Sequence, residues 1–251
     1  MAKPSVNSTL LKAKTHAKMG EIEEAQNLYQ AVLQAFPKNK RAQQGLATLK
    51  KTKLPTINKS PPQKTINNLL NLYNQGQLSS VVKEAQAIIR KYPAAFVAWN
   101  VLGAAAAQTE QLDKAIFAFQ KVLDIKPNNP EAYYNMGKVF QDQGKLEEAI
   151  DAYRKAFSLK PDYADAYNNM GNAFKNLGNL EKAIEAYSKA ISIQPNYANA
   201  YNNIGNAFQG QGKLEKAIGI YKQALSLRPD YAEAYYNMGN AFKEQGKLAE
   251  S

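Results

Sequence analysis

Residues 130–163 read PEAYYNMGKVFQDQGKLEEAIDAYRKAFSLKPDY, and residues 164–197 read ADAYNNMGNAFKNLGNLEKAIEAYSKAISIQPNY. Laid one over the other, they coincide at Tyr133 and Tyr167, Gly137 and Gly171, Gly144 and Gly178, Ala149 and Ala183, Tyr153 and Tyr187, and Pro161 and Pro195. Each pair is 34 residues apart. Self-similarity at a fixed period of this length is the mark of stacked supersecondary units.

The register extends in both directions. Gly103, Gly205 and Gly239 continue the glycine series, and Pro93, Pro127 and Pro229 the proline series. Units 96–129, 130–163, 164–197, 198–231 and a partial 232–251 follow one another without insertion. With the glycine at position 8 and the proline at position 32, position 4 is Trp99, Tyr133, Tyr167, Tyr201 and Tyr235. Position 20 is Ala115, Ala149, Ala183 and Ala217, and position 24 is Phe119, Tyr153, Tyr187 and Tyr221. Two divergent units fit the same frame. Unit 62–95 keeps Gly76, Leu78 and Pro93 but has Leu69 at position 8, while unit 6–39 keeps Ala13, Gly20, Ala25, Tyr29 and Pro37.

Each unit reads as two amphipathic helices, A over about positions 1–14 and B over about positions 16–30, at ~3.6 residues per turn. Small residues at positions 8 and 20 let the two backbones approach, and aromatics at 4, 11 and 24 fill the space around them. Asp162, Asn196 and Asp230 are expected to cap the following helix A. Gly144, Gly178, Gly212 and Gly246 are expected to end helix A in a left-handed conformation. A single pair cannot bury its apolar face, so neighbours must stack. The expected organisation is a divergent N-terminal unit with an extra helix over 1–50, a Pro/Lys-rich linker over 51–62 and the repeat array over 63–251.

This pattern resembles the tetratricopeptide repeat family. The resemblance implies an all-α fold, a right-handed superhelical solenoid of antiparallel helix pairs, and binding of protein or peptide partners. Asparagine ladders similar to the one described below occur in the repeat arrays of O-linked N-acetylglucosamine transferases. Bacterial proteins of this appearance often continue into a sulfotransferase, glycosyltransferase or methyltransferase region.

At 100° per residue, positions 3, 4, 7, 8, 10, 11 and 14 of helix A gather on one side and positions 2, 6, 9 and 13 on the other. The second set forms an inner wall when repeated. Position 6 is Asn135, Asn169, Asn203 and Asn237; position 9 is Lys138, Asn172, Asn206 and Asn240; position 5 is Tyr134, Asn168, Asn202 and Tyr236. Asparagine in a helix costs roughly 0.6 kcal/mol relative to alanine, so the ladder runs against propensity. Its amide carries a donor and an acceptor, which suits the backbone of an extended peptide. All twelve residues are candidates for a peptide groove. Copying of recent duplicates would also repeat asparagines, yet position 13 has drifted through Gln108, Asp142, Asn176, Gly210 and Glu244. No lysine stands at position 5, which argues against a carboxylate clamp of the kind some family members carry.

The remaining composition excludes more than it suggests. Among 251 residues there is no cysteine and one histidine, His16, which falls at a packing position. Disulfide frameworks, thiol catalysis and Cys- or His-rich metal sites are excluded. There is no phosphate loop, H-E-x-x-H or G-x-S-x-G motif, so no enzyme activity, cofactor or metal is expected. The net charge of +11 is concentrated in residues 1–64, where 12 Lys+Arg face 3 Asp+Glu. Aromatic residues are not interleaved with these lysines, which makes nucleic acid an unlikely partner. Nor is a membrane one, and a cytoplasmic location is expected. The leading expectation is a scaffold that binds an extended peptide or partner segment. The alternative is the non-catalytic part of a larger transferase with chemistry beyond residue 251, and a basic nucleic-acid adaptor is the minor one. Helix A of the partial last unit lacks a covering helix B, so self-association through that end is a further expectation.

Overall fold

The computed structural model describes residues 6–19, 22–51 and 60–249. Among them are fourteen helices and no strand, as the all-α reading requires. Two compact units divide the chain, Met1–Ser60 with Arg90–Ala94, and Pro61–Ile89 with Ala95–Ser251. Gly20 and most of the expected linker over 51–62 lie outside the described residues.

The first unit contains α1 (Val6–Met19), α2 (Ile22–Ala35) and α3 (Lys40–Lys51). Leu10, Ala13, Ala25, Tyr29, Val32, Ala42 and Leu49 form its core. His16 is half-buried on α1.

The second unit runs through α4 (Gln63–Asn74), α5 (Leu78–Lys91), α6 (Phe96–Gln108), α7 (Leu112–Ile125), α8 (Pro130–Asp142), α9 (Leu146–Leu159) and α10 (Ala164–Asn176). It continues with α11 (Leu180–Ile193), α12 (Ala198–Gly210), α13 (Leu214–Leu227) and α14 (Ala232–Ala249). From α6 onward, the even-numbered helices are A and the odd-numbered are B. The backbones of successive A helices come within 8 Å of one another from α6 to α14, whereas those of α7, α9, α11 and α13 stay further apart. Helices that close up on one side and spread on the other curve the stack, and helix A lines its inner side.

Tyrosine on glycine locks each pair. A Cβ placed on Gly137, Gly171 or Gly205 would lie 2.5, 2.5 or 2.3 Å from the ring of Tyr153, Tyr187 or Tyr221. These three rings have no exposed surface, so they fill the space that the missing side chain leaves. Phe119 covers Gly103 in the same way, at 2.8 Å.

The A–B turns follow from backbone conformation. Gly144, Gly178 and Gly212 have φ of 74°, 76° and 72°, and the amide of Lys145 returns to the Phe140 carbonyl at 2.9 Å. That bond closes the helix end in the way a left-handed glycine permits. Glu110 holds the same register with φ of 56°, a conformation costing a side-chain-bearing residue about 1–2 kcal/mol. Glu110→Gly should therefore raise the unfolding free energy by about 1 kcal/mol, measured by urea denaturation. Gly219 is the converse, exposed within α13 with nothing within 4 Å of the point where a methyl group would sit. Gly219→Ala should stabilise by about 1 kcal/mol through helix propensity.

Two local expectations are corrected. Asp162 and Asn196 do not cap the helices that follow; α10 and α12 start at Ala164 and Ala198, and the cap residues are Tyr163 and Tyr197 without a side-chain bond. The helix begins one residue later than the carboxylate spacing implies, because position 34 is given to an aromatic that packs. A side-chain cap is made instead by Asn129, whose oxygen accepts from the Ala132 amide ahead of Pro130. Gly246 does not end helix A either, since α14 runs on to Ala249.

Candidate functional site: the inner face of the A helices

In units 164–197 and 198–231 position 5 lies at the seam with the next A helix, and there the structure corrects its assignment. Asn168 and Asn202 are 6% and 0% exposed. They bridge adjoining units and do not face an open groove. Asn202 donates from Nδ2 to Glu233 Oε1 at 3.0 Å and accepts on Oδ1 from Asn237 Nδ2 at 3.1 Å. Asn168 Oδ1 accepts from Asn203 Nδ2 at 3.1 Å. Tyr134 takes the same role one unit earlier, its hydroxyl accepting from Asn169 Nδ2 at 3.1 Å. The helical wheel separates core from surface on one helix, but it cannot register what the neighbouring unit covers.

The position 6 residues, Asn135, Asn169, Asn203 and Asn237, are all half-buried. Three of them spend an N–H on the preceding unit through the bonds just described. Asn203 Nδ2 also reaches Asn172 Oδ1 at 3.3 Å. Asn135 breaks the series. Its register partner is Asn100, yet Asn100 Oδ1 is buried without a partner and the bond is not made.

Position 9 serves the tyrosine locks. The Tyr187 hydroxyl donates to Asn172 Oδ1 at 2.8 Å, and that of Tyr221 to Asn206 Oδ1 at 2.7 Å. Lys138 replaces asparagine in unit 130–163, and the Tyr153 hydroxyl turns to Gln141 Oε1 at 3.2 Å. Burial raises the phenol pKa values of Tyr153, Tyr187 and Tyr221 well above the ordinary 10. The unfolded chain loses these protons near pH 10 while the folded chain keeps them. Their contribution is thus complete below pH 10 and declines above it, by about 1.4 kcal/mol per pH unit for each tyrosine. Denaturation followed from pH 9 to 11 should show the decline, and Tyr221→Phe should reduce its slope.

The bonds fix which way each amide points. Among the described residues, Asn172 and Asn206 present Nδ2 with no protein partner, and Asn203 and Asn237 present Oδ1 with none. Asn240 is half-buried, Lys138 exposed, and Tyr236 is 70% exposed. Tyr134 is half-buried, with its ring 4.9 Å from that of Tyr163.

A recess of about 310 Å³ opens at the seam between α6 and α8, with Tyr73, Ala104, Ala107, Phe119, Asn135 and Lys138 in its lining. Of these, only Asn135 and Lys138 are among the twelve groove candidates read from the sequence, although Ala104 stands at position 9 of the same wall. A signal for the others is present: where position 24 is Phe119 rather than tyrosine, position 9 is Ala104 rather than an amide. Among the described residues no cluster of His, Cys, Asp or Glu could hold a metal ion, and no helix is long and apolar enough to cross a membrane.

Stacked helix pairs with an amide-bearing inner face define a repeat scaffold of the kind that holds protein partners. Patterns described as TPR repeat match residues 103–144, 139–178, 171–212 and 210–246, and one described as tetratricopeptide repeat matches 10–49. The chain belongs to the tetratricopeptide repeat family. Among solved structures, a crystal structure of MamA protein is 28% identical, covering 68% of this chain and 96% of that one with a TM-score of 0.59. YrrB, described as a TPR protein with an unusual peptide-binding site, is 22% identical over 74% of this chain and 95% of its own, with a TM-score of 0.58. A tetratricopeptide repeat protein from Parabacteroides merdae is 19% identical over 75% of both chains, with a TM-score of 0.65. The latter two likenesses concern the fold. No curated protein matches the chain.

Proposed function

We propose that the array holds an extended segment of a partner protein along the inner face of its A helices, through main-chain hydrogen bonds. One observation carries this reading: among the described residues, the internal network leaves unpartnered donors on Asn172 and Asn206 beside unpartnered acceptors on Asn203 and Asn237. A strand offers C=O and N–H groups in alternation, and oriented amides meet them without reorganisation cost. Such contacts bind backbone and leave sequence preference to other positions.

The test must spare the structural half of each amide. Asn172→Asp with Asn206→Asp keeps an oxygen for each tyrosine hydroxyl and removes the N–H donors. Random dodecapeptides displayed on phage, panned against the protein, should yield binders that this double variant holds at least about tenfold more weakly, about 1.4 kcal/mol. Failure to enrich any peptide, or undiminished binding by a folded double variant, contradicts the reading.

A further inference from the structure

The geometry points to the recess between α6 and α8 as the specificity pocket of the groove: it takes one aliphatic side chain of the bound segment while Lys138 pairs with a carboxylate beside it. This rests on the groove reading above and adds the chemistry of the segment.

One rung of the wall has lost its polar character in a concerted way. In units 164–197 and 198–231 a tyrosine hydroxyl from helix B meets an asparagine at position 9. In unit 96–129 both partners are replaced, by Phe119 and Ala104, with Val101 at position 6 and Ala107 at position 12. Replacing both members of a buried polar pair by apolar groups leaves nothing unsatisfied. The replacement also removes side-chain volume, and Ala104, Ala107 and Phe119 line the recess of about 310 Å³ at this rung. That volume lies at the lower end of the ~300–1,000 Å³ of ligand pockets, which suits a single leucine, isoleucine or methionine side chain rather than a cofactor.

The polar groups at its edge are set for a peptide as well. Asn135 is the position 6 amide that makes no bond to the preceding unit, so its donor and acceptor can both serve one residue of a strand. Gln108 is tied back to the Tyr73 hydroxyl at 2.7 Å. Lys138 is exposed, has no carboxylate partner among the described residues, and carries the cation where the three later units carry asparagine. Asp142, one turn further along α8, also borders the recess and opposes an acidic segment. The two charges thus make opposite demands. Lys138, one turn from Asn135 along the same face, is the one a strand bonded to Asn135 passes first.

Panning with the same random dodecapeptides tests this directly. The expected consensus is an aliphatic residue next to Asp or Glu. Synthetic peptides of that consensus should bind Ala104→Phe, which fills the recess, and Lys138→Glu, which reverses the rim charge, at least about tenfold more weakly. Asp142→Asn should bind them more tightly, by about threefold. Lys138→Glu changes an exposed residue, so it keeps the test decisive if Ala104→Phe proves unstable by thermal melting. Binders that depend on Asn172 and Asn206 but lack the aliphatic–acidic pair, or that ignore Lys138→Glu, overturn this inference and leave the groove intact. A panning that enriches nothing overturns both.

Discussion

Tyr187→Ala is expected to lower the unfolding free energy by about 3–5 kcal/mol, the range for removing a fully buried aromatic side chain. The ring has no exposed surface, covers Gly171, and anchors Asn172 through its hydroxyl. Truncation opens a cavity between α10 and α11 that glycine cannot fill. It also strips Asn172 Oδ1 of its shorter bond while leaving the one from Asn203. Tyr187→Phe separates the two terms. It should cost about 1 kcal/mol, the net worth of one hydrogen bond, and Tyr187→Phe with Asn172→Ala should recover part of that by recreating the Phe119 and Ala104 pairing. Urea denaturation monitored by circular dichroism measures all three variants. A Tyr187→Ala protein within about 1 kcal/mol of the parent would show that the ring is not a lock.

Gly171→Val is the second large effect, at about 3 kcal/mol or more. A methyl group alone would sit 2.5 Å from the Tyr187 ring, and the ring is enclosed on every side. Overpacking of this kind costs about 1–3 kcal/mol for small additions, and valine adds branching next to the helix backbone. Helix propensity runs the other way, since glycine is the worse helix former by about 0.5 kcal/mol or less. The steric term is several times larger and decides the sign. At Gly219, with nothing in reach, only propensity remains, so filling a glycine gives opposite outcomes on two helices of one array.

Glycine at position 8 and tyrosine at position 24 are legible in the sequence because each is repeated in register and each answers to packing within its own pair of helices. The positive-φ glycines are legible for the same reason, being local to one turn. Asn168 and Asn202 are not. Their surroundings come from a helix 34 residues further on, and a wheel drawn on α10 or α12 places them beside the solvent-facing stripe. The caps depart from expectation by a single residue: Asp162 has the right chemistry, but Tyr163 takes the boundary for packing. Glu110 escapes a glycine series traced through the units that contain glycine, when the unit without it carries the strain.

The asparagine ladder itself has a double origin. In Asn172, Asn203, Asn206 and Asn237 half of the amide bonds within the protein, to a tyrosine or to the adjoining unit, and in unit 96–129 position 9 loses its amide where position 24 loses its hydroxyl. The half left over is what the proposed function uses. Alanine at position 6 therefore confounds the two roles, since Asn203→Ala would leave the buried Asn168 oxygen without its donor. Aspartate at position 9 does not.

The most direct measurement is the side-chain amide NMR spectrum of the protein, titrated with a peptide selected by panning. The Nδ2 resonances of Asn135, Asn172 and Asn206 are predicted to shift on saturation, while those of the sealed Asn168 and Asn202 stay in place. Shifts confined to residues outside the A helices, or an unchanged set of asparagine resonances in the presence of bound peptide, would contradict the account.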